Sequence, residues 1–151
     1  TGPGGALTVR GTTIVGRVHA RAIGEISNTI LLAEPVGPGL PPIRVEHRQT
    51  GCVRFSFVPP GSVVPRRHRC VPGGSAGADA IRPRFISMRY GHPGYMRLHD
   101  ACACAIRAGA DDGGELGAMH AVEARRREAN LRVRLREHLR VGLEALVVHE
   151  T

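Results

Sequence analysis

Residues 6–34 read ALTVRGTTIVGRVHARAIGEISNTILLAE. Their apolar side chains come in short alternating bursts: Leu7 and Val9, Val18 and Ala20, Ile30 and Leu32. Such brief period-two alternation points to short β-strands. Gly11, Gly16 and Gly24 recur between the bursts, and each would weaken a helix by about 1 kcal/mol. Strands this short bury little singly. They suit a stack in which each pass of the chain covers the last.

A weak repeat supports stacking. Gly-Thr-Thr-Ile-Val (11–15) resembles Ser-Asn-Thr-Ile-Leu (27–31) at an offset of 16, and Thr50-Gly51-Cys52-Val53 repeats the idea at a further offset of 22. In stacked coils, small apolar residues fill the interior and Asn or Thr ladders line the corners. The expected fold is mainly β: a β-solenoid, read as a right-handed parallel β-helix, with a C-terminal helical cap. A β-sandwich of hairpins is the alternative.

Three stretches follow from this pattern. Residues 1–70 form the solenoid coils and are expected to continue a further N-terminal part, because the sequence opens on Thr and its first Met is Met88. Within them, 35–44 (PVGPGLPPIR) is a turn-rich break, and Val53, Phe55 and Phe57 mark a strand over 52–58. Residues 71–82 are a flexible loop. Residues 83–151 form the capping region. There, Arg84 to Tyr90 alternates like a strand, and DACACAIRAGA (100–110) reads as a short helix capped by Asp100. Leu131, Leu135 and Leu139 place a long helix at about 119–141. Glu123–Arg127 and Glu128–Arg132 are its i,i+4 pairs, Gly142 its C-cap, and Leu143–Val148 a final strand or tail. This helix is expected to cover open strand edges.

Composition narrows the function. All 21 basic residues are Arg, and the formal net charge is +8. The excess lies in residues 44–97, which hold ten Arg against Glu46 and Asp79. Arg44, Arg48, Arg54, Arg66, Arg67 and Arg69 are the candidates for contact with an anion or a partner. A solvated face, or pairing with acids elsewhere in the chain, is the favoured account of them. Aromatics are 3% of residues, too few for base stacking, so nucleic acid is disfavoured. No apolar run reaches about 18 residues, so no membrane-spanning helix is expected. No signal peptide is visible, and a cytoplasmic or particle-associated location is favoured.

The acidic loop 109–117, GADDGGELG, gathers Asp111, Asp112 and Glu115 near His120. Carboxylates plus His could coordinate a cation or serve as acid and base. The loop lacks the alternating ligands of a calcium loop, and a tight turn leading into the helix is favoured. Cys52 and Cys70 lie 18 apart and Cys102-x-Cys104 is a close pair, neither at zinc-site spacing, so free buried thiols are expected. No cofactor motif is present, and no residue is assigned a catalytic or metal-binding role.

The segments QTGCVRFSFVPPGSVVPRRHRC (49–70), PRFISMRYGHPGYMRL (83–98), GADDGGELGAMH (109–120) and REANLRVRLREHLRVGLEALVVHET (127–151) resemble the C-terminal part of uncharacterised bacterial parallel β-helix proteins. Leu116 and Met119 stand where Met and Phe are usual in that family. The resemblance covers about residues 7–151 and implies a solenoid continuing N-terminally. It also implies association with gene clusters for contractile phage-tail-like injection systems. It carries over no catalytic residue.

The expected function is therefore a non-catalytic structural or interaction module, with protein partners in a larger assembly, as an accessory component of a contractile injection particle. A fragment of a β-helix polysaccharide lyase or hydrolase, with a carbohydrate partner, is the alternative. Anion or nucleic-acid binding through the Arg-rich middle is the second.

Overall fold

The computed structural model describes residues 2–34, 40–73 and 80–146. Seven short strands are β1 (Gly4–Arg10), β2 (Thr13–Val15), β3 (Val18–Ser27), β4 (Ile30–Leu32), β5 (Ile43–His47), β6 (Cys52–Arg54) and β7 (Arg66–His68). Every ladder between them is parallel. One sheet runs β1-β3-β6-β7, with β5 also on β3, and the second is β2-β4. Single bridges Ile30–Phe57 and Phe57–Val71 extend the second sheet, and Arg44–Val63 extends the first. The fold is thus mainly β with parallel sheets, and the hairpins of a sandwich are not its organising unit.

The chain crosses from the first sheet to the second four times, each time through a left-handed residue: Gly11 (φ 53), Asn28 (φ 52), Phe55 (φ 44) and Arg69 (φ 48). The following side chain then donates back to the carbonyl two residues earlier. Thr12 reaches Arg10 at 2.8 Å, Thr29 reaches Ser27 at 2.8 Å, Ser56 reaches Arg54 at 2.7 Å, and the Cys70 thiol reaches His68 at 3.6 Å. A positive φ reverses the chain sharply, and the hydroxyl satisfies a carbonyl that the corner would otherwise strand. Gly and Asn adopt this backbone readily, whereas Phe55 and Arg69 are held in it at some strain. Around these two, His68 meets the Phe55 ring edge-on at 5.7 Å, and the Arg69 guanidinium lies 5.9 Å over it.

These corners correct the sequence repeat. The pairs are Thr13–Ile30 and Ile30–Phe57, so the offsets are 17 and 27, not 16 and 22. Segment 50–53 is not the third repeat; 55–58 is. The left-handed residue fixes the register, and an alignment of Thr13 with Thr29 is one residue out of it. The same corner at Phe55 ends β6 at Arg54, so the expected strand over 52–58 is split.

Between the sheets lies a core of Ile23, Ile26, Leu31, Ile43, Val45, Val53 and Val58. Ile30 and Phe57 alternate to the far side of the second sheet. There they meet Cys102, Ile106, Ala110 and Leu116 of the C-terminal region. Helix α1 (Cys104–Arg107) contributes the buried Ile106 to this contact. It starts after Ala103 with no side-chain cap; Asp100 instead pairs with Arg107 at 3.3 Å. The expected strand over 84–90 reduces to single bridges, Phe85–Leu98 and Ser87–Tyr95.

The long helix is shorter than expected. A 3-10 turn at His120–Val122 is followed by Glu123 at φ 50, and α2 spans Ala124–His138. Leu139 ends α2 in extended conformation, so Gly142 lies beyond the cap position. Glu128 pairs with Arg132 at 2.6 Å as expected, but Glu123 pairs with Arg126 rather than Arg127. Leu131 and Val133 are exposed, and α2 does not cover the strand edges. The 98–116 segment packs instead on the face of the second sheet, through Cys102, Ile106, Ala110 and Leu116. Residues 143–146 form no regular structure. Val147 and Val148, residues 35–39 of the turn-rich break and residues 74–79 of the expected loop lie outside the described residues.

Candidate functional site

The acidic loop folds back on the corner at Asn28. Its turn closes with hydrogen bonds from Gly113 to Ala110 and from Ala110 to Gly114, while the Gly114 N–H reaches the Asp112 carboxylate at 2.8 Å. Gly117, at φ +93, then donates to the Asn28 carbonyl at 2.9 Å. A Cβ at Gly117 would stand 2.5 Å from Thr13 Oγ1 and 2.9 Å from Ile30 Cδ1, so only glycine brings the loop this close. The adjacent Ala118 N–H donates to Thr13 Oγ1 at 3.0 Å.

Asn28 is the hub. Its amide group donates to Asp111 Oδ1 at 2.7 Å, and its side-chain carbonyl accepts from the Asp111 N–H at 3.2 Å. The same amide lies 3.3 Å from His120 Nε2, while His120 Nδ1 lies 3.1 Å from the Glu115 carbonyl. One tautomer satisfies both: Nδ1 carries the proton toward Glu115, and Nε2 accepts from Asn28. Asp112 Oδ1 is 3.9 Å from His120 Nδ1. The Gly114 N–H, with His120 and Arg126 nearby, holds the Asp112 carboxyl below its ordinary value. Glu115 is buried. A cleft of about 300 Å³ opens beside the loop, lined by Arg107, Asp112, Glu115, His120, Glu123 and Arg126.

All four acidic-loop candidates, Asp111, Asp112, Glu115 and His120, therefore come together. The ligand atoms of Asp111, Asp112 and His120 lie within 4.8 Å of one another, a spacing that could hold one cation. The Asn28 amide already donates into that space, to Asp111 and His120 together. The loop also meets the start of α2, where Arg126 donates to the Asp112 carbonyl at 3.0 Å. Sequence reading missed Asn28, Thr13 and Gly117. The Ser-Asn-Thr run was the available signal, since Asn before Thr suits a left-handed corner.

The six Arg candidates do not form one common site. Arg54 pairs with Glu25 at 2.7 Å, Arg67 donates to the Ser62 carbonyl at 3.0 Å, and Arg69 covers Phe55. Arg44 is exposed in register with His19. Arg48 and Arg66 line an open groove of about 730 Å³ with Glu46 and His47. Among the described residues, Arg44, Arg48 and Arg66 form no ion pair.

The four cysteines are free thiols: Cys102 is buried, Cys52 and Cys70 are half-buried, and Cys104 is exposed, contrary to the expectation for it. Burial pushes the Cys70 thiol up. No helix among the described residues is long and apolar enough to cross a membrane. Comparison with protein-family models, curated proteins and solved structures finds no significant match.

Proposed function

We propose that the chain is a non-catalytic structural or interaction module: a short right-handed β-solenoid acting as an accessory part of a contractile injection particle. The parallel ladders and four equivalent corners support the winding, and right-handedness follows from the strong bias of parallel crossovers. The observation that carries the structural role is the Asn28–Asp111 pair. Asp111 and His120, two of the residues best suited to acid–base or cation chemistry, are both taken up by hydrogen bonds to Asn28, which fasten the C-terminal region to the sheets. On the outer face of the first sheet, the carboxylates are likewise in local pairs. Glu25 lies between Arg10 and Arg54, and Glu46 lies 3.7 Å from His19. The polysaccharide-cleaving alternative needs a carboxylate pair open to a substrate groove, and these pairings weigh against it.

The test is purification of contractile particles from cells expressing an epitope-tagged chain, followed by mass spectrometry. Stoichiometric recovery with sheath and baseplate proteins is expected. Recovery only in the particle-free fraction would overturn the particle role.

A further inference from the structure

We infer that the groove between the end of α2 and the segment 139–146 docks an acidic amphipathic helix of a partner protein. Apolar side chains of that helix cover Leu139, Leu143 and Leu146, and its carboxylates pair with Arg132, Arg136 and Arg140. The inference rests on the interaction-module reading and gives the partner its chemistry.

The groove holds about 640 Å³ and joins two kinds of surface. Leu139, Val141, Leu143 and Leu146 form its apolar part, and the three Arg form its basic part. Among the described residues, Glu144 is the one carboxylate on its wall. Val141, Leu143 and Leu146 are exposed, so the apolar part meets water. Helix α2 leads into the groove without cover. From Arg127 to His138 every residue is exposed except Glu128 and Leu135, and neither buried core draws on the described side chains of α2. A helix of 15 residues standing alone is marginal in water, and a partner seated along it would supply the missing packing.

Charge selects that partner. The sequence of α2 has six Arg against Glu128 and Glu137, a net of +4. At about 3.6 residues per turn, Arg127 and Arg134 flank Leu131 and Leu135 on one side, and Arg132 and Arg136 flank them on the other. Among the described residues, Arg127, Arg134, Arg136 and Arg140 form no ion pair. A Leu row between two Arg rows is the complement of a helix whose apolar row runs between two acidic rows.

Other occupants fit less well. A second copy would set one +4 helix against another, and Asp111 and Asp112 of its acidic loop are already held by Asn28 and the Gly114 N–H. A lipid surface asks for apolar residues on one side, whereas the exposed Val133 lies opposite Leu131 and Leu135 and α2 has no aromatic residue. Nucleic acid would meet the Arg but leave Leu143 and Leu146 uncovered.

The experiment measures binding of the full chain to a fluorescein-labelled helical peptide with Leu every third or fourth position and Glu beside each Leu. Fluorescence anisotropy should give a Kd of about 10 μM or tighter. A scrambled peptide of equal composition, and one with Lys for Glu, should each bind at least roughly tenfold more weakly. Leu143→Glu with Leu146→Glu should weaken binding by a similar factor and leave the circular-dichroism melt unchanged, because both side chains are exposed. The inference is overturned if the peptide does not bind, if the scrambled peptide binds equally, or if the double variant binds like the parent. Self-association by light scattering with loss of peptide binding would make a second copy the occupant and overturn it. Peptide binding only after removal of residues 147–151 would make the end of this chain the occupant, and tight binding of phosphatidylserine vesicles or a DNA duplex in place of the peptide would name another class. Either result also overturns it. All of these readings use the isolated chain, so failure here stays separate from failure of the particle role, which is read from particle composition.

Discussion

Asn28 and Asp111 hydrogen-bond to each other twice, at 2.7 and 3.2 Å, across 83 positions of sequence. One residue holds a left-handed corner between the two parallel sheets and the other lies in the acidic loop, so the pair joins the two parts of the chain. Asn28→Gly keeps the backbone and removes both bonds, and should destabilise by about 1–2 kcal/mol. Asn28→Ala adds the left-handed strain and should cost about 1 kcal/mol more. Urea unfolding of the two variants gives both values. Equal losses would show that the corner conformation contributes nothing.

Leu7 and Ile23 occupy the same column one layer apart, half-buried and fully buried. Ile23→Ala should cost about 2–5 kcal/mol, because it leaves a cavity inside the core. Leu7→Ala should cost about 1 kcal/mol, since much of its surface already meets water. Thermal melts of the two variants decide this, and similar losses would mean that the β1 layer is closed.

Glu25 sits between Arg10 of the first pass and Arg54 of the third, and these guanidiniums hold its carboxyl below the ordinary value of 4.5. A lowered folded pKa means that its contribution is complete above the ordinary carboxylate range. That contribution is lost as pH falls through the folded value. Glu25→Gln should therefore lower Tm at pH 7 and flatten the loss of stability between neutral and acid pH. An acid limb as steep as in the parent would contradict the ion-pair account.

Gly51 stands at φ +78 under the bulge in β3, and a Cβ there would lie 1.7 Å from the Ile23 carbonyl oxygen. Gly51→Ala must move backbone and should destabilise by more than about 2 kcal/mol. Gly73→Ala, where nothing lies within 4 Å, is the control and should be near neutral. Circular-dichroism melts of both variants test the contrast.

Much of the first two passes was legible in sequence, because Leu7, Val9, Val18, Ala20, Ile30 and Leu32 alternate over solvated turns. The register was not. It depends on which residue takes the left-handed backbone, and at Phe55 and Arg69 no propensity announces that choice. The acidic loop was legible as a cluster of titratable groups, but its anchor was not, since Asn28 lies 83 residues from Asp111 and the Ser-Asn-Thr run signals a corner rather than a partner. The helix was overextended because Leu139 continues the Leu spacing past the last helical residue, His138, and because no residue type announces the left-handed backbone at Glu123. Its Leu stripe also misled as to burial, because Leu131 remains exposed.

Amide hydrogen exchange on the unmodified chain tests the parallel arrangement of the sheets, with β1 outermost among the described strands, most directly. The account predicts strongest protection at Ile26, Leu31 and Val53, and exchange roughly a hundredfold faster or more in β1. Protection in β1 equal to that in β3 would contradict it, because the first edge would then already be covered.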